Sequence, residues 1–205
     1  MAIVLVRHGE TDGNARRVLQ HPETPLSERG LAQARRVAAR LAADGRVERI
    51  LSSDYARALR TAELIRDACG MPLEIAIELR ERNFGELRGR AYADLEVDPF
   101  SPDYEPPGGE SWDALHHRVD LAWQRIEQAA TGLAGDLVVV THGLVCHSLV
   151  SRLLDLGELG PPPPGFGNTA LTIVDAVAPW RVRLLGCIAH LDDDTAHDDR
   201  TLSGL

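Results

Sequence analysis

The chain alternates short, nearly all-apolar runs with longer stretches whose apolar positions recur every three or four residues. The first run, AIVLVR at 2–7, is β-branched and leads into a polar, glycine-containing loop, so it predicts a strand feeding a functional loop that lasts until Ser27. Ser27 predicts the N-cap of a helix over ERGLAQARRVAARLAADG, where Leu31, Ala34, Val37, Ala38 and Leu41 share a face and Gly45 closes the end. VERILS at 47–52 predicts a second strand. ARALRTAELIRDACG at 56–70 predicts a helix with Leu59, Ala62, Leu64 and Ile65 toward the core and Gly70 as its stop, and LEIAI at 73–77 a third strand. From about Arg80 to Glu110 the pattern breaks into Gly, Pro, acidic and aromatic residues, a long excursion over the surface. Helical spacing resumes after Ser111, with Trp112, Leu115, Val119, Trp123 and Ile126 on one face. DLVVVTH at 136–142 is apolar on both alternating faces, as expected of a strand covered on both sides. LVCHSLVSRLLDLG at 144–157 predicts another helix, and TALTIVDA and VRLLGCIA two closing strands joined near Pro179 and Trp180.

Strands alternating with helices predict an α/β fold, a three-layer α/β/α sandwich around a mostly parallel mixed sheet. The expected organisation is a single domain over residues 1–191, with 84–110 passing over the site, followed by an acidic tail at 192–205. In such sheets ligands sit beyond the carboxyl ends of the strands. Polar residues cluster there: Arg7 and His8 end the first strand, Ser52 and Ser53 the second, Thr141 and His142 the strand DLVVVTH.

Composition narrows the function classes. A 44% hydrophobic and 26% charged chain is globular in character, and with only 4% aromatic residues its core rests on Leu, Val, Ile and Ala. No apolar run approaches the roughly 20 residues needed to span a bilayer, and the start has no signal-peptide pattern, so the expectation is a cytoplasmic protein with no membrane partner. Cys69, Cys146 and Cys187 are odd in number, far apart and without zinc spacing, which suits reduced thiols. A net charge of −9 argues against nucleic acid as a partner and leaves small anions open, provided the site itself is positive. No P-loop string occurs.

RHGET at 7–11 carries the candidate chemistry. A neutral imidazole held on one ring nitrogen can attack phosphorus with the other, splitting phosphoryl transfer into two steps. It needs cations beside it to hold the phosphoryl oxygens, and bidentate arginines suit that task. Arg7 adjoins His8; Arg57, about one turn into its helix, is either a second phosphate ligand or a solvent-facing charge. THG at 141–143 repeats the strand-end His-Gly arrangement before a helix, where an anion is favoured and a protonated His142 would add a donor. One such histidine alone reads as a rim residue; two in one chain strengthen the functional reading.

RHGET with Asn14, SSDYARALRTA, LRERNFGELRG, GGES and VTHG, in this order, resemble the histidine phosphatase superfamily, also called the phosphoglycerate mutase-like family, over about residues 3–175. The resemblance implies a phosphoglycerate mutase-like fold, a phosphohistidine on His8, a phosphate pocket lined by Arg7, Arg57 and His142, and a hydrogen bond from Asn14. It also implies that Glu81 is the proton donor, although by itself Glu81 is one charge among several on a loop. No cofactor or metal is expected, and the partner implied is a small phosphorylated metabolite.

The sequence departs from the family pattern near the substrate side. His21 and Glu23 replace a common glycine and aspartate, so Gln20 and His21 are candidate substrate contacts, with Gly143 and Leu144 after His142, where mutases tend to carry Asn. His147 is either a pocket residue or an ordinary helix residue. Between Pro99 and Glu110 there is no Lys or Arg, and the excursion is too short for the insertion that supplies mutases with a second phosphate site. A phosphatase is therefore favoured over a cofactor-dependent mutase. A metal-dependent hydrolase using HLDDDTAHDD at 190–199 and an inert phosphate-binding relative are the further alternatives, and a homodimer through exposed sheet edges is open.

Overall fold

The computed structural model describes residues 1–191. In chain order the elements are β1 (Ala2–Arg7), α1 (Asp12–Ala15), α2 (Glu28–Asp44), β2 (Val47–Ser52), α3 (Ala56–Cys69), β3 (Leu73–Ile75), α4 (Trp112–Ala130), β4 (Asp136–Thr141), α5 (Gly143–Arg152), β5 (Leu171–Asp175) and β6 (Val182–Cys187). The sheet runs β3-β2-β4-β1-β5-β6. The first four of these pair in parallel, while β5 is antiparallel to both β1 and β6. Parallel strands need both faces covered, and the period-two alternation shows how that is met. Ile3, Leu5, Leu137 and Val139 pack toward Leu115, Val119 and Ile126 of α4 and Val145 and Leu149 of α5. Val4, Val6, Val138 and Val140 face Val37, Ala38 and Leu41 of α2 and Ala58, Ala62 and Ile65 of α3. The result is the three-layer sandwich around a mixed sheet.

Four local readings differ from expectation. The third strand stops at Ile75, and Ile77–Leu79 tightens into a 3₁₀ turn that buries Leu79. In α3 the inward face is Arg57, Ala58, Thr61, Ala62 and Ile65, with Leu59 and Leu64 only half-buried; the small residues let α3 lie close to α2. α5 ends at Arg152 rather than near Gly157. The first loop holds the short helix α1, capped by the Thr11 side chain.

The 84–110 segment is anchored rather than draped. Phe84, Leu87 and Phe100 are buried in the same cluster as α4, and the fully buried guanidinium of Arg82 ties three remote points together. Its Nε donates to the Glu110 carbonyl (3.0 Å), Nη1 to Pro99 (2.9 Å) and Nη2 to Tyr104 (2.6 Å), with the Trp112 ring 4.2 Å away. Removing it would leave three carbonyls without their donors, each a loss of about 1–3 kcal/mol where water cannot replace it. Arg82→Met is expected to destabilise the protein by about 3–5 kcal/mol in urea unfolding.

Among the described residues no helix is long and apolar enough to cross a membrane, and Cys69, Cys146 and Cys187 are free thiols.

Candidate active site

The carboxyl ends of β1, β2 and β4 meet at one rim, and the turns leaving them carry the polar side chains. His8 continues β1 by donating its N–H to the Thr141 carbonyl (3.0 Å), while Asn168 Nδ2 donates to the His8 carbonyl (3.0 Å). The chain then turns at Gly9 because it must pass the start of α2. A Cβ on Gly9 would lie 2.5 Å from the Gly30 carbonyl oxygen, and one on Gly30 only 1.9 Å from that of Glu10. Glu10 locks this contact by accepting from Ser27 Oγ (3.0 Å) and Arg29 Nη1 (3.3 Å). The glycine of ERG thus serves close packing against RHGE.

His8 is 2% exposed, and its ring is held from one side. Nδ1 lies 2.6 Å from the Gly9 carbonyl, an acceptor, so Nδ1 carries the proton and Nε2 presents its lone pair. Arg57 Nε donates to that Nε2 at 3.3 Å. Burial first, then the Arg57 and Arg7 guanidiniums, hold His8 well below the ordinary imidazole range, against the opposing pull of the Gly9 carbonyl. The ring is therefore neutral at neutral pH.

Arg57 is 3% exposed, which removes the solvent-facing alternative. Its Nη1 donates to the His21 carbonyl (3.0 Å), and burial lowers its pKa to about 10, still cationic at pH 7. Arg7 is also buried and donates from Nη1 to the Phe166 carbonyl. His142 packs its ring 5.2 Å from that of His8 and does not line the cavity in front of it. Burial, then Arg57, His8 and Arg7, hold His142 well below the ordinary range too. Two buried guanidiniums and no carboxylate partner favour the neutral imidazole over the protonated donor considered from the sequence.

Asn14 accepts at Oδ1 from the Thr11 N–H (3.1 Å) and Asn168 Nδ2 (3.4 Å), so its amide donor is the end left over for the cavity it lines. Glu81 is half-buried rather than solvated. Its Oε1 accepts from the Arg82 N–H (2.9 Å) and its Oε2 from the Leu144 N–H (3.2 Å) at the start of α5. Arg118 of α4 fixes the approach to Glu81 by donating to the Glu78 (2.8 Å) and Arg80 (2.7 Å) carbonyls while it clamps both carboxylate oxygens of Glu110.

Arg7, His8, Asn14, Gln20, Arg57, Glu81 and Leu144 line one cavity of about 40 Å³. That is space for roughly three water-sized groups, the scale of a phosphoryl group. Gly143 lies outside the lining; His21 is exposed, contributes its carbonyl to Arg57 and sets its ring beside Gly89. His147 sits on α5 outside the cavity, half-buried, and is an ordinary helix residue here. Sequence reasoning missed the rest of the wall: Val18, Leu19, Tyr55, Arg82, Phe84, Tyr92 and Phe100. Tyr92 is carried there by a backbone bond to Arg17 (2.9 Å) and the Val18–Ala91 bridge, and its hydroxyl makes no hydrogen bond to a described residue. No group of metal-ligating side chains occurs among the described residues, and of the 190–199 cluster only His190 and Leu191 are described. His190 faces the Thr169 hydroxyl at 3.0 Å.

The two neutral histidines set a stability prediction. Above about pH 6.5 the folded and unfolded chains are both unprotonated at these positions, so there is no cost. As pH falls through the unfolded value, the unfolded chain binds protons that His8 and His142 refuse in the fold, and stability drops. The expected slope between pH 6.5 and 5 approaches roughly 3 kcal/mol per pH unit for the pair. Urea unfolding at pH 7, 6 and 5 reads it on top of the smaller contributions of His116, His147 and His190, and His8→Asn should remove about half of the pair's share.

Known proteins share this sequence pattern and fold. The sequence is 35% identical to "Phosphoglycerate mutase-like protein 4" of Arabidopsis thaliana over 204 residues, covering 93% of this chain and 87% of that protein. The fold superposes with a TM-score of 0.76 on a mycobacterial glucosyl-3-phosphoglycerate phosphatase complexed with VO3, at 27% identity over 91% of this chain and 99% of the other. It matches a putative alpha-ribazole-5'-P phosphatase of Escherichia coli with a TM-score of 0.77, at 26% identity over 92% and 97%. The family model "Histidine phosphatase superfamily (branch 1)" matches residues 3–184, from the first residues of β1 into β6, and the chain belongs to that superfamily.

Proposed function

We propose that the protein is a phosphatase that hydrolyses a small phosphomonoester through a phosphohistidine on His8. The observation that carries this reading is a neutral imidazole, fixed at Nδ1 by the Gly9 carbonyl, whose unprotonated Nε2 accepts a hydrogen bond from the buried guanidinium of Arg57. Bound phosphate takes over the donors of Arg57, which uncovers the Nε2 lone pair. Nε2 then forms the N–P bond as the ester P–O bond breaks, and Arg7, Arg57 and the Asn14 amide hold the oxygens on which charge develops. Glu81, entering as the acid, gives its proton to the departing alkoxide. As the carboxylate it next takes a proton from the water that cleaves the N–P bond, releasing phosphate and restoring neutral His8.

Relatives named for both mutase and phosphatase reactions leave the choice to this chain's own residues. A mutase acting on a bisphosphate needs a second cationic site. Arg82, the other guanidinium at the cavity, is committed to three backbone carbonyls, which favours hydrolysis. A phosphate-release screen over small phosphomonoesters, with His8→Ala as blank and EDTA added, tests the reading. Hydrolysis that survives EDTA and is lost in the blank supports it. Metal dependence, or interconversion of phosphoglycerates faster than hydrolysis, overturns it.

A further inference from the structure

Ser53 has no part in the reaction as written, yet it is completely buried at the end of β2 against His142. Its Oγ accepts the Tyr55 N–H (3.2 Å) and lies 2.9 Å from His142 Nε2. The Ser53 hydroxyl makes no other hydrogen bond to a described residue. On the far side of the same ring, His142 Nδ1 is buried and has no partner, in the field of His8, Arg57 and Arg7.

A neutral imidazole carries one proton, on either nitrogen. Were it on Nε2, that N–H and the Ser53 hydroxyl would point two donors at one contact, and the hydroxyl proton would be buried with no acceptor. With the proton on Nδ1, Ser53 donates to Nε2 and every group on that side is satisfied. The Nδ1–H is then the unsatisfied donor. The ring packs against His8 and Tyr55, which both line the cavity, and its charged neighbours are two guanidiniums that gather anions, so the acceptor that reaches it from the cavity is a phosphoryl oxygen.

We propose that Ser53 is a positioning residue that fixes His142 as the Nδ1–H tautomer and so makes a neutral histidine a hydrogen-bond donor to the transferred phosphoryl group. This rests on the phosphatase reading for its consequence, but its first test does not. Ring nitrogen-15 spectra of the full chain at pH 7, with and without inorganic phosphate, report which nitrogen of His142 is protonated. The expected result is Nδ1–H in both, with the Nδ1 signal moving when phosphate binds. In Ser53→Ala the proton should redistribute toward Nε2 and kcat should fall roughly 10- to 100-fold, with KM little changed. Ser53→Thr, which keeps the hydroxyl, should restore both. A proton on Nε2 in the unsubstituted protein overturns the proposal whatever the variants do, and so does Ser53→Ala with an unchanged tautomer or unchanged kcat. An Nδ1–H in a protein that forms no phosphohistidine would instead retain the tautomer and refute the reaction.

Discussion

Replacing Arg57 with alanine is expected to lower kcat/KM roughly 1,000-fold, the scale seen when a preorganised donor to a developing phosphoryl charge is removed. In the proposed reaction Arg57 serves both partners of the first step. It is a buried cation whose Nε reaches the attacking nitrogen of His8 and whose Nη1 is braced by the His21 carbonyl. Its loss also withdraws the larger of the two charges that hold His8 neutral. The His8 pKa must therefore rise in the variant, and because the attacking form is unprotonated, activity should fall off on the acid side at a higher pH than in the parent. Arg57→Lys keeps the charge but not the fork, and should recover the pH profile better than the rate. A pH–rate profile of the two variants checks this; an Arg57→Ala protein with near-normal kcat/KM would place the phosphate elsewhere.

Glu81→Gln is expected to separate the two half-reactions. With an alkyl phosphate, whose leaving oxygen must be protonated, kcat should drop roughly 1,000-fold. With an aryl phosphate such as p-nitrophenyl phosphate the leaving group departs without a proton, so one equivalent of phenolate should appear in a rapid burst. Turnover then stalls because glutamine cannot take the proton of the attacking water. The carboxylate is held by the Arg82 and Leu144 N–H groups, and an amide fits only one of those contacts through its oxygen, so some loss of order is expected as well. Equal losses on both ester types with no burst would remove Glu81 from the role of acid.

Much of this site could be read from the chain because its parts are tied to strand ends. Apolar periodicity located β1, β2 and β4, and their parallel order brings Arg7, His8, Ser53 and His142 to one rim without further information. Arg57, one turn into α3, stayed open between a ligand and a solvent-facing charge until the family resemblance pointed to the pocket and the structure buried it. What escaped were contacts in which a side chain meets backbone. Arg82 holds the 84–110 segment through three carbonyls and Arg118 braces the approach to Glu81 through two more, and a carbonyl leaves no mark in a sequence. Asn168, 160 residues from His8, reaches its carbonyl only because β5 returns beside β1. The charge state of His142 was open in the sequence for a related reason. The helix start at α5 favours a bound anion, and complete burial beside two guanidiniums argues for a neutral ring. Tyr92 and Phe100 looked like residues of an open loop until the anchored segment set them in the cavity wall.

The account stands most directly on a covalent bond between His8 Nε2 and phosphorus. Phosphohistidine survives alkali and is lost in acid, so labelled substrate mixed with the protein, quenched in base within milliseconds and mapped by peptide mass spectrometry, would reveal it. The predicted result is one acid-labile phosphoryl group on the peptide containing RHGET, at His8 Nε2, accumulating in Glu81→Gln and absent from His8→Asn. Turnover with no label on His8, or undiminished hydrolysis by His8→Asn, would contradict it.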